Sequence, residues 1–177
     1  MLESLLVLLI PSVSRAIDRY CRRTFYTVAE ARDYDYTTSP AIRLRDDLVS
    51  LTGITCNDDA EVDVSNLVLE PRIGPPYSRI AWKQGVGVGF TWTGTQTSAL
   101  SIEGVWGYKA SLPPDIALAC MAWVSDIYAM SDSRGLESMS GGGVRASLRK
   151  LDEGPPPDVK GWLDHYRKPT KFGAIAA

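Results

Sequence analysis

The sequence predicts an α+β protein, with helical elements at the N-terminus and after a central antiparallel β-rich region, and an extended C-terminal arm carrying a short helix. Three observations lead there. Apolar residues recur at helical spacing before Phe25. Short alternating runs separated by turn residues fill Phe25 to Tyr108, and a Pro-Pro-Asp start precedes a second helical pattern.

Leu5-Leu6-Val7-Leu8-Leu9-Ile10 opens the first helical pattern, which Val13, Ile17 and Tyr20 continue on one face while Arg15, Arg19 and Arg22 form a basic stripe. The apolar run is too short to cross a bilayer. Glu3 stands where a secretion signal needs a positive flank, and no small-residue cleavage site follows, so no membrane partner is expected. Pro11 lacks an amide hydrogen and predicts two short helical pieces, joined by a kink or by a fresh start.

In the middle, Ile42 and Leu44 alternate with Arg43 and Arg45, and Val49-Ser50-Leu51-Thr52 alternates again. Asp46-Asp47 and Asn57-Asp58-Asp59 read as charged turns. Further strands are expected at 67–70, 80–82, 86–92 and 100–106, with Pro71, Gly74, Pro75 and Pro76 forming a loop between the first two. Gly85, Gly87 and Gly89 lie in a β-like run with no helix after them, which argues against a phosphate-cradling loop.

Pro113-Pro114-Asp115 is a strong helix start, because proline costs no internal hydrogen bond in the first turn and aspartate suits the positive end of the helix. Ile116, Cys120, Trp123, Ile127 and Met130 follow at spacings of four and three, broadened by Ala117, Val124 and Tyr128. So wide an apolar surface is expected to be covered on more than one side, within the chain or by a neighbouring subunit. Ser140-Gly141-Gly142-Gly143 reads as a flexible connector. Past it, Val159, Trp162, Leu163 and Tyr166 line a short helix ended by Pro169, and a small-residue tail begins at Phe172. The division drawn from these signals is a core at 1–135 and a linker, short helix and arm at 136–177.

Composition narrows the function. With 177 residues, 45% hydrophobic and 23% charged, the chain has material for a real core. A formal net charge of -2 argues against a dedicated nucleic-acid binder, whose footprint is strongly basic. Cys21, Cys56 and Cys120 lie far apart and His165 is the one histidine, so neither a zinc site nor a disulfide framework is expected. Asp46-Asp47 and Asp58-Asp59 lack the calcium-loop pattern. No activated serine or cysteine motif assembles around His165, so no enzyme, metal or cofactor is predicted. A second reading is a β-sandwich module that binds carbohydrate or another ligand, stacking sugars on Trp82, Trp92 and Trp106.

Ile17-Asp18-Arg19-Tyr20-Cys21-Arg22-Arg23-Thr24-Phe25 followed by Arg32-Asp33-Tyr34-Asp35 resembles the opening of head-tail connector (head-completion adaptor) proteins of tailed bacteriophages. The Gly104-Val105-Trp106-Gly107-Tyr108 segment and Pro113-Pro114-Asp115 match that family's order of elements, and the resemblance spans most of Leu5 to Tyr128. It implies a non-enzymatic virion protein, assembled in the host cytoplasm, that forms a homo-oligomeric ring, usually a dodecamer, at the head-tail neck. Its implied partners are the portal protein, a stopper or tail-completion protein, and double-stranded DNA passing non-specifically through the channel. On this reading Ile116, Cys120, Trp123, Ile127, Arg15 and Arg19 are subunit-interface candidates. Trp162, Leu163, Tyr166 and Phe172 are candidates for docking on the portal or a neighbour.

Overall fold

A computed structural model describes residues 2–36, 39, 41–83, 85, 89–90, 94, 96–133 and 154–169. Within them lie three α-helices, α1 (Leu2–Cys21), α2 (Pro114–Ser133) and α3 (Pro157–Asp164), and five strands: β1 (Val28–Tyr34), β2 (Ala41–Cys56), β3 (Leu67–Glu70), β4 (Tyr77–Trp82) and β5 (Leu100–Trp106). The chain divides into two compact units. One is helical and is built from both chain ends, Met1–Arg23 and Leu112–Ala177; the other is the sheet, Thr24–Ser111.

The five strands form one antiparallel sheet in the order β1-β5-β2-β4-β3. Ile42, Leu44, Leu48, Ile54, Cys56, Ile80, Leu100, Ile102 and Trp106 bury their side chains in its core. Alternation along β5 is complete: Leu100, Ile102, Gly104 and Trp106 are buried and the residues between them are not. Where the sequence suggests two strands broken at Asp46-Asp47, the structure has one. β2 advances from Arg43 to Leu48 while its partner β4 moves only from Arg79 to Tyr77. The aspartates thus occupy a register irregularity within a continuous strand, not a turn. Asp46 meets Arg32 at 2.7 Å, and Asp47 is buried. Asp58 and Asp59 do form a turn, with Asp59 at φ 60° and the Asp58 carboxylate accepting the Ala60 amide.

β5 and β2 approach so closely that one position admits no side chain. A Cβ on Gly104 would run into the Ser50 carbonyl oxygen and lie 2.9 Å from Leu48 Cδ1. The register of β2 against β5 shifts on both sides of this point, between Leu48 and Ser50 and between Leu51 and Gly53. Gly107, just past β5, sits at φ +142°, where a Cβ would come within 2.9 Å of the Tyr26 carbonyl. The spacing of glycines in Gly104-Val105-Trp106-Gly107-Tyr108 is therefore set by two backbone approaches.

The edge strand β1 is held through Trp106, whose indole N–H donates to the Glu30 carbonyl at 3.0 Å. Arg32 lies 4.7 Å over the Trp106 ring while pairing with Glu30 and Asp46, and Tyr34 stacks on the same indole at 5.9 Å.

In the helical unit, α1 runs unbroken through Pro11, against the expectation of two pieces. The carbonyl that Pro11 leaves without an amide partner is that of Val7, a residue 68% exposed, on the solvent side of the helix, where such a loss costs least. Leu9, Val13, Ala16, Ile17 and Cys21 form the buried stripe that holds the helix together. α1 ends in a reciprocal C-terminal cap: the Arg23 amide donates to Asp18 O at 3.1 Å and the Arg22 amide to Arg19 O at 3.3 Å. This places Arg22 at φ 55°, a conformation that favours glycine. α2 begins at Pro114 as the sequence predicts, with the Ile116 and Ala117 amides donating to Pro113 O.

Of the remaining expectations, the strand at 86–92 lies largely outside the described residues, and Gly89 and Phe90 there belong to no strand. The connector at 140–143, the 135/136 boundary and the tail from Phe172 also lie outside them.

Two predictions follow from the backbone. Gly104→Val forces β2 away from β5 and lowers stability by about 2 kcal/mol or more, read from urea unfolding. Arg22→Gly relieves the left-handed strain at the end of α1 and raises stability by up to about 1 kcal/mol in the same assay, after the entropy that glycine adds to the unfolded chain.

Candidate interaction surfaces

The helical unit is closed by contacts between the end of α1 and the segment around α3. Its last turn leaves carbonyls without intrahelical donors. The Lys168 amide donates to Cys21 O at 2.8 Å, and Arg23 Nε donates to Tyr166 O at 2.6 Å. Tyr20 donates its hydroxyl to Asp164 Oδ1 at 2.5 Å, and Arg167 lies 5.3 Å over the Tyr20 ring. Tyr166 in turn donates to Asp115 Oδ2 at 2.9 Å, tying α3 to the first turn of α2. Val159 and Leu163, one turn apart on α3, are buried within the unit.

This closure shifts two acids. Burial, reinforced by the hydrogen bond and charge of Asp164, pushes the Tyr20 phenol up to about 12. Burial, with the Asp18 carboxylate second, pushes the Cys21 thiol up to about 11.

The predicted interface residues separate by burial. Ile116, Trp123 and Ile127 lie in the chain's own core, at 4%, 1% and 2% exposure. Cys120 is half-buried, its Sγ 3.7 Å from Ser14 Oγ on α1. Arg15 and Arg19 are exposed, and Arg15 pairs with Asp18 one turn on at 3.1 Å. Among the docking candidates Leu163 is fully buried, Tyr166 is half-buried and bonded to Asp115, and Trp162 remains 42% exposed. Phe172 lies outside the described residues.

Sequence reasoning assigned no role to a set of exposed apolar side chains. Val7, Leu8 and Ile10 project from α1, and Leu118 and Met121 from α2. In the sheet unit Ile73, in the loop between β3 and β4, is 97% exposed above a hairpin base closed by the Glu70–Arg79 ion pair at 2.8 Å. The signal for α2 was present, because its apolar residues run all round the helix. Periodicity could not say which side the chain itself covers.

The carbohydrate reading loses its platform. Trp106 is buried, Trp82 is half-buried against Phe90 at 5.2 Å, and the described strands make one sheet where a sandwich needs two. Trp92 lies outside the described residues. Among the described residues no group of three or more His, Cys, Asp or Glu side chains is placed to hold a metal ion, and no helix is long and apolar enough to cross a membrane.

No protein-family model matches the sequence, and no curated protein matches it. Solved structures match the fold along nearly the whole chain. A chain in the neck of an empty gene transfer agent (GTA) particle, computed with C6 symmetry, superposes with a TM-score of 0.60 at 17% identity, covering 98% of this chain and 82% of that one. The fold is that of a gene transfer agent neck chain. A chain in the neck of the native particle, computed with C12 symmetry, gives a TM-score of 0.58 at 15% identity, with 98% and 86% covered. A chain in the virion of the native particle gives 0.53 at 15%, with 97% and 80% covered. The match takes in α3 as well as the sheet, so the likeness extends beyond the Leu5–Tyr128 span of the sequence motifs.

The raised thiol of Cys21 sets a pH dependence. Its folded value lies above its ordinary one of 9.0, so its contribution is complete below about pH 9 and disappears as pH rises through about 11. Native-state alkylation at pH 8 is accordingly expected to label half-buried Cys120 well before Cys21, by peptide mass spectrometry, with Cys21 reacting at the rate of unfolding.

Proposed function

We propose that this chain is a non-enzymatic structural adaptor of a head-tail neck, which assembles as a homo-oligomeric ring beneath a portal protein. The ring links a DNA-filled capsid to a stopper or tail-completion protein and leaves a channel for DNA. The observation that carries this reading is the shared fold: 97–98% of the chain superposes on chains of gene transfer agent necks and virions. The symmetries with which those necks were computed, C12 and C6, favour a ring of twelve copies.

The chemistry is consistent with a conduit. A subunit of net charge -2 does not grip phosphates along a channel, and non-specific passage needs no base-reading groups. The basic groups of the sheet are partly neutralised: Arg79 pairs with Glu70, and Arg32 with Glu30 and Asp46. Function on this reading is geometric matching between rings, carried by exposed surface rather than by a pocket. On this reading Trp162, an exposed aromatic on a helix anchored by buried neighbours, is the α3 residue that docks on a portal or an adjacent subunit.

Electron cryomicroscopy of the particle carrying this chain tests the proposal. A twelve-fold ring at the neck, with this fold fitting its density, is the expected result. Density for the chain elsewhere in the particle, or none, contradicts it.

A further inference from the structure

α1 and α2 each bury one face and expose an opposite, apolar one. On α2 the exposed side reads Pro114, Leu118, Met121, Ser125 and Ala129, at helical spacing and without a charge. Leu118 is 48% and Met121 60% exposed. On α1 the exposed side begins with Val7 and Leu8, each 68% exposed, passes Pro11, and turns basic at Arg15 and Arg19. Exposed apolar side chains clustered on two helices of one small unit exceed the single scattered residues that ordinary surfaces carry.

From these faces, and resting on the neck reading, we propose that the outer face of α2 packs antiparallel on the exposed face of α1 in a second copy of this chain. Cyclic assemblies differ from two-fold dimers in using two different patches on every subunit. The helical unit offers two, and the structures that share its fold come from necks computed with cyclic symmetry. Charge fixes the direction. With the helices antiparallel, Met121 lies across from Leu8 and Leu118 across from Pro11. The acidic first turn of α2, with exposed Asp115, then falls opposite Arg15 and Arg19 in the basic half of α1. A parallel arrangement would leave Asp115 beyond the basic stripe.

The size of the patches sets the behaviour. A pair that is stable alone buries roughly 800 Å² per partner, from about 20 residues or more a side. The few side chains of these two faces fall short of that, so the contact closes in a complete ring on its template and not between two free chains.

The test substitutes exposed residues, so folding is preserved and checked by circular dichroism. Leu8→Lys and Met121→Glu each place one unpaired charge in the contact and are expected to cut ring occupancy at the neck by about tenfold or more, scored by cryomicroscopy of purified particles. The double variant pairs the two charges and is expected to recover occupancy to within about threefold of the unaltered chain. Full rings with Met121→Glu alone overturn the contact and leave the neck reading standing. The same holds if the ring stays intact but the portal or tail no longer attaches, because the face then belongs to another neck protein. If the unaltered chain gives no ring at the neck, the neck reading itself fails and the contact with it.

Discussion

The helical unit depends on one constraint, the meeting of the two chain ends. α1 is completed only where residues from the far end of the sequence reach its last turn: the Lys168 amide on the Cys21 carbonyl, Arg23 on the Tyr166 carbonyl, and Tyr20 on Asp164. The first satisfies a carbonyl that a free helix end leaves to water, and the other two pair polar groups beside the segment whose Val159 and Leu163 are buried in the unit's core. The sheet is inserted into this helical frame between Arg23 and Leu112. A chain so arranged closes its helical part only after some 140 residues of intervening sequence, an entropic cost that packing of Trp123, Ile127 and Leu163 must offset.

Much of the fold was legible because the local signals were strong. Pro113-Pro114-Asp115 marks the start of α2, and the alternation of Leu100 to Trp106 gives β5 its exact span. The failures are equally local in origin. Asp46-Asp47 has the composition of a turn, but a strand can carry such residues at a register irregularity, where Asp46 meets Arg32 and Asp47 is buried, and no pattern within one strand reveals its partner's register. Pro11 has the chemistry of a break, but its lost bond falls on an exposed residue, Val7, and exposure is a tertiary property. β1 carries no alternating signal because its side chains are almost all exposed, and its pairing is with β5, about seventy residues away.

The interaction surfaces were legible only as composition. The all-round apolar character of α2 led to the expectation of more than one covered side, and the residues singled out, Ile116, Trp123 and Ile127, belong to the side the chain covers itself. Leu118 and Met121, on the other side, differ from them in no sequence property. The same ambiguity attends α3, where Leu163 is core and its neighbour Trp162 is surface. The sequence motifs resemble head-tail connector proteins, and the fold is shared with chains of gene transfer agent necks.

Hydrogen–deuterium exchange tests the closure of the helical unit most directly, comparing the full chain with one ending at Glu153. If α3 and its flanking residues complete the unit, the amides of the second half of α1 and of the first turns of α2 lose protection by about a hundredfold or more in the shortened chain. Unchanged protection in both helices would show that the C-terminal segment is an appendage and would contradict the account.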